Sequence, residues 1–226
     1  MAVYFITGGT NGIGAETARL AVAAGHDVFV TGRDDARLRS LVAELGEDSA
    51  AGRVADAGDW DATRAAVDAA LERFGRLDVV FANAGFGISG DLTSFDPAET
   101  RSMVLTNVLG PMLLARATVP TLAESKGFFL VTGSVAGRKA MPGSPYSSTK
   151  WAVHGFAESL RQHLVGTGIR TAVIGPGRVD TPFWENGVEG PTLTSEDIAR
   201  TVLWITGQPE HVDVNEVVIR PIGQDR

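Results

Sequence analysis

The chain has 226 residues, 44% of them apolar and 21% charged, an ordinary globular balance for one α/β domain or two small ones, long enough to bury a core without staples. It contains no cysteine and carries a net charge of −7 with no basic run, which excludes disulfides, thiolate metal sites and cysteine nucleophiles and argues against nucleic acid or an anionic membrane as main partner. No apolar run approaches the ~18 residues that span a bilayer, and the N-terminus, MAVYFITGG, lacks the charged leader of a signal peptide, so a cytoplasmic location is expected.

Val3-Tyr4-Phe5-Ile6 is a short apolar run closed by glycine, the pattern of a buried strand. Thr7-Gly8-Gly9-Thr10-Asn11-Gly12-Ile13-Gly14 follows, then a helical stretch over Ala15–Ala24. Strand, glycine-rich turn and helix in that order make a phosphate cradle. Glycines let the backbone approach a pyrophosphate, and the helix start offers unpaired N–H groups and a positive dipole end. The glycines at 8, 12 and 14 read GxxxGxG rather than GxGxxG; a glycine turn without a ligand is the plainer alternative.

A second strand is expected over Asp27–Thr31 and an amphipathic helix over Asp34–Leu45, with Asp34 as its cap. The turn between them bears on the cofactor. An NAD site usually has an acid here for the ribose hydroxyl, and an NADP site a basic residue for the 2′-phosphate. Gly32 stands where the acid is expected and Arg33 follows it, with Thr10 and Asn11 as further hydrogen-bonding groups. This favours NADP(H) over NAD(H). Against it, Arg33 also reads as an exposed loop charge, and Asp34 and Asp35 would repel a phosphate if they pointed inward.

A third, weaker strand over Ala50–Ala55 ends at Asp56, placed either to accept from an adenine amino group or to cap a helix over Asp59–Phe74. Leu77–Ala82 is a fourth strand, and the small residues of Asn83-Ala84-Gly85 would let a cofactor lie close to its tip. Thr100–Leu122 is a long helical stretch with Pro111 and Pro120 as kinks or boundaries. It contains Asn107, which taken alone reads as a solvated or locally bonded asparagine. Gly127–Thr132 is a fifth strand, with Ser134 just past its end.

Pro145-Tyr146-Ser147-Ser148-Thr149-Lys150 opens a helix that runs to Val165. Tyr146 and Lys150, four residues apart, lie one helical turn apart on the same face. A free phenol ionises near pH ~10, and a fixed positive charge beside it favours the phenolate. The pair is thus expected to lower the Tyr146 pKa and make it a general acid or base near neutrality; taken alone, so short a pattern reads first as a packed aromatic beside a solvated charge. Gly168–Ile174 is a sixth strand, broken by Gly175-Pro176-Gly177. A last helix over Thr194–Gln208 starts with a capping box on Thr194 or Ser195, and Asn215–Ile219 is a final strand. Strands and helices alternate throughout, so a parallel sheet with helices on both faces is expected. In such sheets ligands bind beyond the carboxyl ends of the strands, where Gly8, Gly12, Arg33, Asp56, Asn83, Ser134 and Pro176 all fall.

The sequence resembles the short-chain dehydrogenase/reductase family in TGGTNGIG (7–14), ANAG (82–85), TNVLG (106–110), VTGSVAG (131–137), YSSTK (146–150) and IGPGRVDTPF (174–183). The resemblance covers nearly the whole chain, in the family's order. HVDVNEVVIRP (211–221) looks more weakly like NADP-dependent 3-hydroxy acid dehydrogenases. The resemblance implies a single Rossmann-like domain: a doubly wound three-layer sandwich on a mostly or fully parallel seven-stranded sheet, with a short substrate lid over 182–193. It implies Tyr146 as proton donor or acceptor to the substrate oxygen. Lys150 would hold the nicotinamide ribose and lower the Tyr146 pKa, Ser134 would bond the substrate carbonyl, and Asn107 would position a water linking Lys150 to solvent. The cofactor would be held by Gly8, Thr10, Asn11, Gly12, Ile13, Gly14, Arg33, Asp56, Asn83, Ala84, Gly85, Tyr146, Lys150, Pro176, Gly177, Val179 and Thr181, with no metal. Ala82 replaces the first Asn of the usual NNAG, and Asn11 stands where many NADP-preferring members carry a basic residue.

The substrate expected is a small or medium carbonyl compound or its alcohol, in an apolar site walled by Phe86, Ile88, Met141, Trp151, Phe183 and Trp184. Arg138, Lys139 and Arg178 are either carboxylate receptors or surface charges. Two other readings remain: a non-redox reaction on this scaffold, such as epimerisation or dehydration, and a cofactor-binding sensor without turnover. The resemblance further implies a homodimer or homotetramer, built through the helices near 100–122 and 146–165.

Overall fold

Val3–Ile6 (β1) buries every side chain, so a run with no polar face has to lie inside a sheet covered on both sides. In the computed structural model, which describes residues 1–184 and 187–224, β1 is followed by α1 (Gly12–Ala23), β2 (Asp27–Gly32), α2 (Asp35–Leu45), β3 (Ala50–Val54), α3 (Trp60–Phe74) and β4 (Val79–Ala82). The second half contains α4 (Pro97–Val104), α5 (Gly110–Ser125), β5 (Phe128–Thr132), α6 (Pro145–His163), β6 (Arg170–Pro176), α7 (Ser195–Thr206) and β7 (Glu216–Ile219). All seven strands pair parallel in the order β3-β2-β1-β4-β5-β6-β7. Winding runs outward both ways from β1 and β4, which leaves a crevice at their carboxyl ends. The fold is the expected Rossmann-like doubly wound sheet. Alternate strand residues feed two cores, Phe5, Val80 and Phe129 on one face and Tyr4, Phe81 and Leu130 on the other.

Several boundaries move for physical reasons. α1 starts at Gly12, within the glycine turn rather than at Ala15. Pro176 does not break the sixth strand: β6 continues through it, pairing Pro176 with Ile219. Val173 and Gly177 donate to Asn215 and Ile219 of the β7 segment, so the nitrogen of Pro176 faces the β5 side. Pairing with β5 ends at Thr132 and Ile174, and no N–H is needed there.

The long helix near 100–122 begins earlier, at Pro97, and is interrupted by a π turn over Leu105–Leu109. Pro111 lies in the first turn of α5, where a missing N–H is harmless, and Pro120 sits inside it. The whole run Pro97–Ser125 is long and apolar enough to cross a membrane by length and composition alone, a test that buried core helices also pass. No uninterrupted apolar block shows it because Asn, Thr and Gly are interspersed. Here Met103, Asn107, Leu114, Thr118 and Leu122 form a buried face, as in a core helix.

Candidate active site

The first side of the site is the glycine turn. Gly8 has φ +61°, and a Cβ there would stand 2.8 Å from the Cα of Ala84, so only glycine lets the turn meet the tip of β4. Asn11 is the N-cap of α1 but makes no side-chain cap. The N–H groups of the first turn, through Gly12, Ile13 and Gly14, therefore keep their donors for an anion.

Asn83 binds the two strand tips together. Its Nδ2 donates to the carbonyls of Thr7 and Gly8 at 3.1 Å each, and its Oδ1 accepts from Thr132 Oγ1 at 3.0 Å. The Thr7 hydroxyl accepts from the N–H groups of Asn83 and Ala84. The Asn83 side chain is thus spent on the protein's own strand tips, at the place where the resemblance puts a cofactor ribose. Thr132 continues the chain: its carbonyl accepts from Lys150 Nζ at 2.7 Å. Thr7, Thr132 and Thr149 were not singled out in the sequence, because a threonine at a strand end or in a helix carries no chemical signature.

Asn107 is 1% exposed and projects from the π turn, whose wider pitch re-aims one side chain inside a helix. Its Oδ1 accepts from Phe86 N, and its Nδ2 donates to Phe86 O and to Thr149 Oγ1, at 3.0, 2.9 and 3.1 Å. It is neither solvated nor bonded within its own helix. A Cβ on Gly85 would lie 3.1 Å from Asn107 Oδ1 and 3.7 Å from Lys150 Nζ, so both side chains converge on that bare backbone.

On α6, Ser144 caps the helix by accepting from Ser147 N, and the Ser147 hydroxyl holds the Ala136 carbonyl. This ties the start of α6 to the short 3₁₀ turn Val135–Gly137 that follows Ser134. Lys150 is buried, and burial brings its pKa down to about 8. Burial pushes the Tyr146 phenol up to about 12, while a hydrogen bond with Ser134 acts in the lowering direction. The expected lowering by Lys150 does not occur: the ammonium is turned to the Thr132 carbonyl, 5.7 Å from the Tyr146 ring centroid, and desolvation outweighs it.

Arg33 is exposed, with its guanidinium 5.7 Å from the Phe86 ring centroid. Asp34 caps α2 through Arg37 N and pairs with Arg37, and Asp35 pairs with Arg39, so both acids are engaged on α2. Asp56 closes a local turn through Gly58 N, and the cap of α3 is Asp59, not Asp56. Beyond β6, Gly177 and Arg178 meet Gln224 Oε1, and Val179 bridges to Leu193. Thr181 lies against Gly12, 3.4 Å from its Cβ position. Phe183 covers Tyr146 at a centroid distance of 5.5 Å and stacks edge-on with Trp184, whose Nε1 donates to the Val179 carbonyl. Glu185 and Asn186 of the expected lid lie outside the described residues.

Two expectations for the pocket wall change. Trp151 is 49% exposed and lines a groove with Arg138 and Glu158, not the crevice. Arg138 is engaged with Glu216, which takes it out as a carboxylate receptor, while Arg178 gives one donor, Nη1, to the Glu189 carbonyl and keeps its charge. Among the described residues no group of His, Asp or Glu is arranged to hold a metal.

The family model of the short chain dehydrogenases matches residues 2–191. The chain belongs to that family. It is 34% identical over 224 residues to an uncharacterized oxidoreductase of Staphylococcus aureus strain USA300, covering 97% of each chain. Among solved structures, an alcohol dehydrogenase from the archaeon Thermococcus sibiricus complexed with 5-hydroxy-NADP matches with a TM-score of 0.93 at 29% identity, over 100% of this chain and 99% of that one. A 3-ketoacyl-(acyl-carrier-protein) reductase from Brucella melitensis complexed with NADH matches with a TM-score of 0.91 at 26% identity, over 97% and 96%. The protein is therefore an oxidoreductase of the short-chain dehydrogenase family, and its structural neighbours' complexes support a nicotinamide cofactor.

Proposed function

We propose that the protein reduces a compact, apolar carbonyl compound to its secondary alcohol with NADPH, and runs the reverse reaction with NADP. The observation that carries this is the meeting of Tyr146, Ser134 and Lys150 past the carboxyl end of β5. A phenol held near 12 keeps its proton throughout the neutral range, which suits Tyr146 as the acid that protonates the substrate oxygen. Ser134 bonds the same oxygen and steadies its developing charge. Lys150 has three N–H donors and one carbonyl partner, so two donors remain for ribose hydroxyls. Asn107, fixed on Phe86 and Thr149, holds the backbone beside Lys150 and positions the water that reconnects it to solvent. Bound NADPH would supply the hydride to the carbonyl carbon, and with the Tyr146 proton this completes the alcohol.

Gly8, Thr10, Asn11, Gly12, Ile13 and Gly14 would hold the pyrophosphate, and Asp56, Ala84 and Gly85 would border the adenosine and ribose. Pro176, Gly177, Val179 and Thr181 would hold the nicotinamide amide. The preference for NADP(H) rests on position 32. A Cβ on Gly32 would stand 2.6 Å from both Thr10 Oγ1 and Thr10 Cγ2, so Thr10 fills the space of an acidic side chain that would read a ribose hydroxyl. Arg33, with Asp34 and Asp35 held on α2, is then the charge that meets a 2′-phosphate. Residues 182–193 act as the lid of a single domain, with Phe183 as its apolar face over Tyr146. The active assembly is a homodimer or homotetramer built on the outer faces of α4, α5 and α6.

The test is a paired fluorescence titration with NADPH and NADH at fixed salt. NADPH binding at least tenfold tighter, about 1.4 kcal/mol, is expected. Equal or tighter NADH binding would remove the Arg33 assignment, and no binding of either would remove the enzyme reading. Tyr146→Phe should lower kcat about a thousandfold while leaving NADPH affinity within about twofold; full activity in that variant would sink the acid assignment.

A further inference from the structure

One helical turn beyond Lys150, on the same stripe of α6, stands His154. Its Nδ1 lies 3.1 Å from Glu216 Oε1. Glu216 opens β7, and its two carboxylate oxygens take Arg138 Nε and Nη2. The other edge of the imidazole fills a notch between two glycines. A Cβ on Gly133 would stand 2.7 Å from His154 Nε2, and one on Gly137 2.6 Å from Cδ2. Ser134 lies between those glycines. His154 Nε2 is buried without a hydrogen-bond partner, and the polar group it faces is the Ser134 backbone.

An imidazole held this way cannot satisfy both sides while neutral. With its proton on Nδ1 it donates to Glu216 and leaves a lone pair against the Ser134 backbone; with both nitrogens protonated it donates to each side. We propose that His154, anchored by Glu216 and Arg138, is a positioning residue that sets the Gly133–Gly137 turn, so that its protonation changes where the Ser134 hydroxyl points. The inference rests on the role of Ser134 proposed above. The charged groups facing His154 are Glu216 from β7, Arg138 from the end of the turn and Lys150 from its own helix. Glu158 and Arg161, further along α6, are paired with each other. Burial, then Arg138 and Lys150, hold His154 below the ordinary imidazole range. It is therefore neutral at neutral pH and gains its proton only on acidification.

The experiment is a pH titration of the full chain by NMR, following the His154 imidazole and the amides of Gly133, Ser134 and Gly137. The amides should titrate with the midpoint of His154, and in Arg138→Met the shared midpoint should move to higher pH as a like charge is removed. Amides that ignore His154, or a midpoint unmoved in that variant, would overturn the proposal. On the kinetic side, His154→Gln should lower kcat about tenfold, leave NADPH affinity within about twofold and erase the acid limb of the pH profile. An acid limb that survives in His154→Gln would also count against it. Because the NMR arm needs no turnover, coupled amides in a chain that reduces no carbonyl would support the coupling and sink only the functional reading.

Discussion

Tyr146 and Lys150 show how far a four-residue spacing carries. Their adjacency was legible from helical geometry, and the structure places them on one face of α6. The direction of their titration was not legible, because it depends on burial, and burial comes from α4, the π turn and the β4 loop closing around them. Lys150 has the simpler consequence. Its folded pKa, about 8, is below the ordinary 10.5, so between those values the unfolded chain binds a proton that the folded chain has released. Stability therefore rises with pH across that window. Burying the ammonium costs its full amount, about 3 kcal/mol, only below pH ~8. Urea denaturation from about pH 7 to about pH 9.5 should show Lys150 adding about 2 kcal/mol to the wild type relative to Lys150→Met. The window lies below that of Tyr146, whose raised pKa removes stability only above pH ~10. Parallel curves for the two proteins would show that the ammonium is hydrated in the folded state.

At the scale of elements, hydrophobic runs and caps located the strands and most helices, and irregular backbone was missed. A capping box for α7 was readable on Thr194 or Ser195, and the structure forms it with Thr194 and Asp197, both bonds present. Thr194→Ala should lower stability by about 1 kcal/mol in urea denaturation, with a change well under half of that as the contrary result. The π turn was invisible, since one wide turn leaves the surrounding period of apolar residues almost unchanged. It decides what Asn107 does: an asparagine that taken alone reads as solvated or locally bonded becomes the buried link between the Phe86 backbone and Thr149. Asn107→Ala strands the N–H and the carbonyl of Phe86, while the Thr149 hydroxyl keeps its bond to the Tyr146 carbonyl, and should cost about 2–4 kcal/mol. Asn107→Asp restores the acceptor alone, so it should recover only part of that loss. A surface-like change below about 0.5 kcal/mol in the alanine variant would contradict the buried network.

For the whole molecule, alternation of strand and helix was enough to read the parallel sheet and the end of it that binds ligands. It could not show which loops meet over that end, because Phe183 reaches Tyr146 only through the bridge of Val179 to Leu193 and the bracing of Gly177 by Gln224. Nor could it separate the two faces of the long helices, since buried and exposed apolar residues look alike in sequence. In the structure Val104, Leu109 and Met112 on the α4–α5 run and Trp151 on α6 remain exposed, and these helices pack side by side. Large apolar side chains left exposed on these helices are what the proposed subunit contact would cover. The helix that carries Tyr146 and Lys150 on its inner side would thus carry a subunit contact on its outer side. Sedimentation at about 10 μM should give a dimer or tetramer for the wild type, since an interface with a tight, apolar centre holds well at that concentration. Met112→Glu combined with Trp151→Glu should shift the population to monomer, because a carboxylate has no partner in an apolar contact. NADPH affinity should stay unchanged, as neither residue borders the crevice. A wild type that sediments as a monomer would leave these side chains as ordinary exposed surface and confine the chemistry to the single chain.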